Sequence, residues 1–423
     1  MTARNLEFLF RPEAVAVVAE PDEPSRYAEV VLRNLAAGGF AAPIVSVAAK
    51  KRSRFRIGHQ VHVDELKVVP DLAIICAALG NVPQIITRLG SLGTRAVIVG
   101  PSLRGKMTHG QVLALRKAIL DAARPHLVRV LGPGSGGLVV PAKGLNASVA
   151  PVVTTPGRIA LVTQSASVAS AVLDRACSKG IGFSSVVHLG AGIDIDLADA
   201  LDWLAEDPDT ESILVQFDSV LGGRKFMSAA RAAARNKPVV AIIGGRFESR
   251  RTTSGPFTTD DVYEAALRRA GWVITQTLPD LFEAAEAMAR VRPMRGERLS
   301  ILANGYGLGG IAGDALRRSG GQLDPLPTET VKHLDKLLPV NSKLSNPLAL
   351  PANITPDQWA AVLSTVLSDP ETDAVLTVCS PSPFASGSDF ATAICKVARE
   401  SERNVFTCWV GGTEMLEAQK IAA

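Results

Sequence analysis

Three open α/β units in series, each built on a doubly wound sheet, are what this chain of 423 residues predicts. Three observations carry that expectation. Short Val- and Ile-rich runs alternate with stretches of helical apolar spacing along nearly the whole length. The runs are apolar at successive positions rather than at alternate ones, the pattern of parallel strands covered on both faces. Two stretches break the alternation and read as linkers, PVVTTP at Pro151–Pro156 and VRPMRGER at Val291–Arg298, so the expected domains are 1–150, 157–290 and 298–423.

In the first unit AVAVVA (Ala14–Ala19) is a strand and Tyr27–Ala37 a helix, with apolar residues recurring at Val30, Val31 and Leu35. PIVSV (Pro43–Val47), LAIICAA (Leu72–Ala78), AVIVG (Ala96–Gly100) and LVRVLGP (Leu127–Pro133) are further strands, with helices at Val82–Leu92 and His109–Ala123. Ligands of such sheets bind outside the carboxyl ends of the strands. The turn after the first strand, AEPDEPSRY (Ala19–Tyr27), has no glycine and three acids, which argues against a dinucleotide fingerprint and a hydride-transfer enzyme. After Pro133, GPGSGGLVVPAKGLNASVAP (Gly132–Pro151) is a Gly-rich turn, allowing either close backbone approach or a loose crossover.

The second unit repeats the alternation with strands in IALVT, FSSVVHLG (Phe183–Gly190), SILVQFD (Ser212–Asp218) and PVVAIIGG (Pro238–Gly245). Helices are expected at Ser167–Ser178, Leu197–Ala205 and Lys225–Arg235. A polar insert, Arg246–Asp261, leads into helices Val262–Ala270 and Pro279–Arg290. The third unit opens with LSILAN (Leu299–Asn304) and the turn GYGLGGIAGDAL, continues with DAVLTVCSP (Asp373–Pro381) and NVFTCWVGG (Asn404–Gly412), and reaches a helix at Glu414–Ala422.

Composition bounds the function. With 47% hydrophobic and 20% charged residues the chain has ample core, and a net charge of +4 is small for its length. The densest basic run, KKRSRFR at Lys50–Arg56, reads as a solvated loop; a ligand with several phosphates suits it better than nucleic acid. The five cysteines are scattered without a CxxC pair, as expected of small buried hydrophobes in a reducing compartment, and no metal site is expected. No apolar run reaches the length of a membrane span, so a cytoplasmic location is expected.

The stretch Arg158–Gly180 concentrates the chemistry. A buried strand runs into Gln164, Ser165, Ala166 and Ser167 where a helix begins. Unpaired first-turn N–H groups and the positive end of the macrodipole favour an oxyanion there; simple N-capping by Ser165 or Ser167 is the plainer reading.

Taken together, LGPGSGGLVVPAKGLNASVAP, IALVTQSASVASAVLD, VVHLGAGIDIDLADALDWLAEDPDT, GRKF, DDVYEAALRRAG, NGYGLGG and SNPLAL resemble, in this order, the NDP-forming acyl-CoA synthetases. That superfamily includes the succinyl-CoA synthetase α subunit and ADP-forming acetyl-CoA synthetase. The resemblance implies a Rossmann-like CoA-binding domain followed by two flavodoxin-like domains. It implies CoA or acyl-CoA at Ala19, Ser25, Lys50, Ala78, Gly132, Pro133 and Gly137, and phosphate at Gln164, Ser165, Ala166 and Ser167. ATP or ADP would be reached only through an ATP-grasp partner. In the family a histidine of the second domain relays phosphoryl to the nucleotide.

The chain departs from that pattern at several positions. Counting back from Asp260-Asp261-Val262-Tyr263 places Thr252 where the histidine belongs, and no histidine occurs between His188 and His333. Asp218 stands for the usual glutamate, Ala166 and Ala19 for glycines, and Ala349 for the aspartate after Asn-Pro. The expectation is a CoA- or acyl-CoA-binding module without the phosphohistidine relay, regulating an attached GNAT acetyltransferase or serving an ATP-grasp partner. The alternative is an active acid–thiol ligase subunit. Neither a nucleic-acid nor a membrane partner is expected; a homodimer is left open.

Overall fold

The computed structural model describes residues 4–19, 27–48, 60–62, 66, 68–101, 107–244, 259–292, 294, 296–339 and 342–422. They form two compact units, Met1–Arg290 and Val291–Ala423. Three sheets flanked by helices bear out the α/β class, two of them parallel throughout and one mixed.

The larger unit begins with α1 (Glu7–Phe10), β1 (Val15–Ala19), α2 (Tyr27–Ala37), β2 (Ile44–Ala48) and β3 (Gln60–His62). It continues through β4 (Leu72–Cys76), α3 (Val82–Leu92), β5 (Ala96–Val99), α4 (His109–Ala123) and β6 (Arg129–Leu131). These strands form one parallel sheet in the order β3-β2-β1-β4-β5-β6. Along β1 and β4 the side chains divide by parity. Val15, Val17, Leu72 and Ile74 enter one core while Ala16, Val18, Ala73 and Ile75 enter another. Two buried faces are why these strands are apolar at every position.

The stretch expected as a Gly-rich turn is instead a hairpin, β7 (Gly137–Val140) and β8 (Leu145–Ser148), and it joins the second sheet. That sheet continues with β9 (Pro156–Thr163), α5 (Ala166–Ser178), β10 (Phe183–His188), α6 (Leu197–Glu206) and β11 (Ser212–Phe217). Then come α7 (Gly223–Asn236), β12 (Val239–Ile243), α8 (Thr259–Ala270), β13 (Val273–Thr275) and α9 (Leu278–Arg290). The order is β13-β12-β11-β9-β10-β7-β8, and only β7 and β8 run antiparallel to their neighbours. Both β3 and β13, three residues each, escaped the sequence reading because so short a run shows no period.

One continuous core runs from the first sheet to the second, taking in Leu6, Val15, Leu72, Leu138, Val162 and Val215. A charge cluster reinforces the same junction. Arg129 of β6 donates from Nε to Asp194 at 3.0 Å, and one guanidinium nitrogen lies 3.5 Å from Asp199 of α6. Lys225 of α7 donates to both oxygens of Asp196 at 3.0 Å and to Asp199 at 2.6 Å. Burial pushes the Asp199 carboxyl upward against the pull of Lys225.

The smaller unit contains β14 (Leu299–Ala303), α10 (Tyr306–Arg318), α11 (Thr328–Leu337), β15 (Leu348–Ala349) and α12 (Pro356–Leu367). β16 (Ala374–Cys379), α13 (Gly387–Glu400), β17 (Asn404–Trp409) and α14 (Thr413–Ala422) complete it. Its parallel sheet is ordered β15-β14-β16-β17, and its core is centred on Trp359 and Phe390, whose rings meet edge to face at 5.3 Å.

Candidate functional site

At the carboxyl edge of the second sheet, register sets three polar residues side by side. Thr163 ends the central strand β9, with Gln216 of β11 beside it on one flank and His188 of β10 on the other. Thr163 Oγ1 donates to Gln216 Oε1 at 2.5 Å and accepts from the Ser165 N–H at 2.9 Å. Gln216 Oε1 also accepts from the N–H groups of Gln164 at 3.2 Å and Ser165 at 3.1 Å. The turn entering α5 is therefore fixed from beneath by a buried amide, and a neutral donor–acceptor pair serves there without the cost of burying a charge.

The turn has a second set of ties. Gln164 Oε1 accepts from the N–H groups of Asp218 at 2.8 Å and Ser219 at 3.2 Å, and its Nε2 donates to the Ser219 carbonyl at 2.9 Å. Gln164 thus staples the loop after β11 to the helix entry. Asp218 Oδ1 accepts from Gln216 Nε2 at 2.8 Å. A Cβ built on Gly244 would lie 2.1 Å from that same oxygen, so only glycine leaves the carboxylate its present place.

Ser165 takes the capping role. Its Oγ accepts from the Val168 N–H at 3.3 Å and lies 3.0 Å from Ser167 Oγ. No acceptor occupies the exposed N–H groups of Ala166 and Ser167 among the described residues, leaving the donors an oxyanion would use.

His188 was missed as a site residue because it lies inside an apolar run. It is buried, and its Nδ1 accepts from the Gly136 N–H at 2.5 Å while its carbonyl accepts from Ser135 Oγ at 2.5 Å. Desolvation lowers its pKa, so the ring is neutral at pH 7. Through this residue the carboxyl edge of the second sheet meets the Gly132–Gly137 turn that leaves the first.

That turn sits on the carboxyl rim of the first sheet with Ala19 and Ala78, three positions expected from the sequence to lie together. Two of its glycines do approach backbone closely, but the backbone is the protein's own. A Cβ on Gly132 would meet the Val99 carbonyl at 2.5 Å, and one on Gly137 the Ala147 carbonyl at 2.1 Å. Gly134 differs: its φ is +74° and nothing lies within 4 Å of its Cβ position, nor of that of Gly80. Pro133 follows a cis peptide bond, and its carbonyl accepts from the Ala191 N–H at 2.9 Å. Tyr27 closes the rim from α2, its hydroxyl donating to the Ser135 carbonyl at 2.9 Å and its ring filling the space a side chain at Gly100 would need. Ser25, Lys50 and Thr252 lie outside the described residues.

In the smaller unit Asn304 at the end of β14 grips the loop after β16. Its Oδ1 accepts from the Ser380 N–H at 2.9 Å and its Nδ2 donates to the Ser380 carbonyl at 2.8 Å. Asn346, before cis-Pro347, donates to the carbonyls of Leu299 and Asp324 and accepts from Ile301. In SNPLAL the asparagine therefore holds the strand edge. Among the described residues no group of three or more His, Cys, Asp or Glu could hold a metal, and no helix is long and apolar enough to cross a membrane.

Residues 13–141 match the family model described as CoA binding domain, and residues 156–288 match the succinyl-CoA ligase like flavodoxin domain. The chain thus carries a CoA binding domain followed by a succinyl-CoA ligase like flavodoxin domain, and in this order of domains it resembles the NDP-forming acyl-CoA synthetase superfamily. It is similar to the acetate–CoA ligase (ADP-forming) I of Archaeoglobus fulgidus, 29% identical over 98% of this chain and 60% of that protein. It is similar as well to the α subunit of the acetate–CoA ligase (ADP-forming) I of Pyrococcus furiosus, 28% identical over 98% of this chain and 92% of that subunit. Among solved structures, the dinucleotide-forming acetyl-coenzyme A synthetase 1 of Ca. Korarchaeum cryptofilum in complex with phosphate and ADP superposes with a TM-score of 0.87. That pair is 26% identical over 98% of this chain and 90% of that one.

Proposed function

We propose that the chain is a CoA- or acyl-CoA-binding module of this superfamily in which the phosphohistidine relay has been lost. The observation that carries the reading is the contrast between scaffold and nucleophile. The turn into α5 keeps its double glutamine brace and two open N–H donors, whereas the sequence has no histidine between His188 and His333. The residues present fit CoA in one respect that can be checked: Gly80 and Gly134 leave open space on the carboxyl rim of the first sheet. Around that space Ala19, Ala78, Gly132, Pro133 and Gly137 would hold the cofactor, with Ser25 and Lys50 as further proposed contacts. When bound, CoA supplies a thiol.

The α5 turn would hold an oxyanion through the N–H groups of Ala166 and Ser167 and the hydroxyls of Ser165 and Ser167, with Gln164 fixing the turn. His188 cannot replace the missing nucleophile, because its Nδ1 is an acceptor for Gly136 and the ring is buried. A threonine hydroxyl at 252 is no readily reversible phosphoryl carrier. An ATP-grasp partner or a GNAT acetyltransferase domain would then read the bound state of this module, and any nucleotide would be met only through the former.

The second reading, an active ligase subunit, is favoured by one observation: the match runs over 98% of the chain and 92% of the Pyrococcus α subunit. Labelled ATP, CoA and an ATP-grasp partner separate the two. The proposal expects no acid-labile label on the wild-type chain and label on Thr252→His. Stoichiometric label on the wild type refutes it.

A further inference from the structure

The end of β10 and the residues after it lie between the two places proposed for ligands and are bonded to both. On one side they hold the turn on the carboxyl rim of the first sheet. The His188 carbonyl accepts from Ser135 Oγ, the Ala191 N–H donates to the Pro133 carbonyl at 2.9 Å, and His188 Nδ1 accepts from the Gly136 N–H. Gly190 is packed so closely there that a Cβ on it would stand 2.6 Å from the Pro133 carbonyl oxygen. On the other side the Leu189 N–H donates to the carbonyl of Thr163 at 2.9 Å, one residue before Gln164.

The His188 ring makes the same connection through side-chain atoms. With Nδ1 accepting, the neutral ring carries its proton on Nε2. Desolvation lowers the His188 pKa, and the backbone carbonyl of Gln164 acts against it by drawing on that proton. One imidazole therefore ties Gly136 to Gln164, and a single ring orientation serves both. The tie matters because packing does not clamp the start of α5. Ala166 and Ser167 are exposed, and Ala169 and Ser170 are half-buried. Ala166, Ala169 and Ser170 share with His188 the lining of a cleft of about 40 Å³, room for more than one water. The first turn is positioned instead by hydrogen bonds, from Gln216 beneath it and from His188 beside it.

We propose that His188 is a positioning residue that makes CoA on the rim of the first sheet and an oxyanion at the α5 turn tighten one another, a role that rests on the two sites proposed above. CoA seated at Gly80 and Gly134 restricts the Gly132–Gly137 turn, and with it the Gly136 N–H. The ring then keeps one orientation, the Gln164 carbonyl is fixed, and the N–H groups of Ala166 and Ser167 are aligned before the anion arrives. By linkage the anion favours CoA by the same factor. The ring is buried away from both ligands, so its part shows only when both are bound.

The test uses the full chain with CoA and sulfate as probes. Sulfate binding is read at the Ala166 and Ser167 amides by NMR and CoA binding by titration calorimetry, each with and without the other ligand. Saturating CoA lowers the sulfate Kd about fivefold, and saturating sulfate lowers the CoA Kd by the same factor. His188→Asn keeps an acceptor for Gly136 and loses the reach to Gln164, whereas His188→Gln does the reverse. In both variants each ligand alone binds within about twofold of wild type, and the coupling factor falls to about one or below. Repulsion between the CoA phosphates and sulfate acts in all three proteins alike and leaves the comparison intact. A factor of about one in the wild type with both ligands bound, or an undiminished factor in either variant, overturns the role of His188 and leaves the two sites standing. Absence of CoA binding, or of sulfate at the α5 amides, overturns the proposed function and the role of His188 with it.

Discussion

Replacing Gly137 by alanine tests whether the Gly-rich turn serves the fold before it serves a ligand. Its φ is +103°, where an L-residue costs roughly 1–2 kcal/mol. The new Cβ would also stand 2.1 Å from the Ala147 carbonyl oxygen on the partner strand. Relief requires the β7–β8 hairpin to shift, an overpacking cost of roughly 1–3 kcal/mol. The sum is roughly 2–5 kcal/mol, delivered to the hairpin and to β10, which pairs with β7 from Val186 to His188. Gly134, in the same turn at φ +74°, has nothing within 4 Å of its Cβ, so its alanine variant bears only the conformational cost of roughly 1–2 kcal/mol. Native-state hydrogen exchange reads the hairpin amides directly and avoids treating a two-unit chain as one transition. Gly137→Ala should open Leu138–Val140 and Val186–His188 by at least a factor of ten more than Gly134→Ala does. CoA affinity should follow the opposite order relative to stability, falling in Gly134→Ala while the hairpin stays protected. Equal loss of protection in the two variants would refute the steric argument.

Three further outcomes follow from the buried polar groups. Lys225→Met leaves the almost fully buried Asp199 carboxylate with the Asp196 N–H at 3.1 Å and, among the described residues, a single ion-pair partner, Arg129 at 3.5 Å; with Lys225 about one-third exposed, the cost at pH 7 is discounted to about 2 kcal/mol. Because burial raises the folded pKa of Asp199, protonation relieves the unpaired charge, so the deficit in chemical denaturation should narrow from pH 7 toward pH 5; a deficit that widened would contradict the assignment. His188 has a depressed folded pKa, chiefly from desolvation, so the unfolded chain takes up its proton first and stability falls as pH drops below 6.5 through the folded value. His188→Asn, which keeps an acceptor for Gly136, should flatten that slope in thermal unfolding between pH 7.5 and about 5.5, and parallel slopes would exclude His188 as its source. Tyr27→Phe removes the bond to the Ser135 carbonyl at about 1 kcal/mol, measurable as faster exchange of the Gly136 amide.

Much of this architecture was legible in the sequence because period and composition are local properties. Uninterrupted Val/Ile runs in β1, β4, β9 and β11 announced strands buried on both faces, and in each sheet alternate residues enter the two cores on its opposite faces, as that pattern requires. The helix after Gln164-Ser165 and its serine cap were readable for the same reason, since a strand, a small polar turn and a helical period follow one another directly. What the chain alone could not convey was which distant residues become neighbours. Gln216 and His188 sit in apolar runs and carry no local signal, and only parallel register sets both beside Thr163. The Gly132–Pro151 stretch was ambiguous between close approach and a loose crossover; antiparallel pairing of β7 with β10 resolved it as a hairpin shared with the second sheet. The glycines at 132 and 137 are demanded by carbonyl oxygens 33 residues back and 10 residues ahead, Val99 and Ala147, and no turn propensity encodes those contacts. Secondary structure is set by neighbours along the chain, whereas sites are set by neighbours across it, and the second kind of proximity exists only once the sheets have formed.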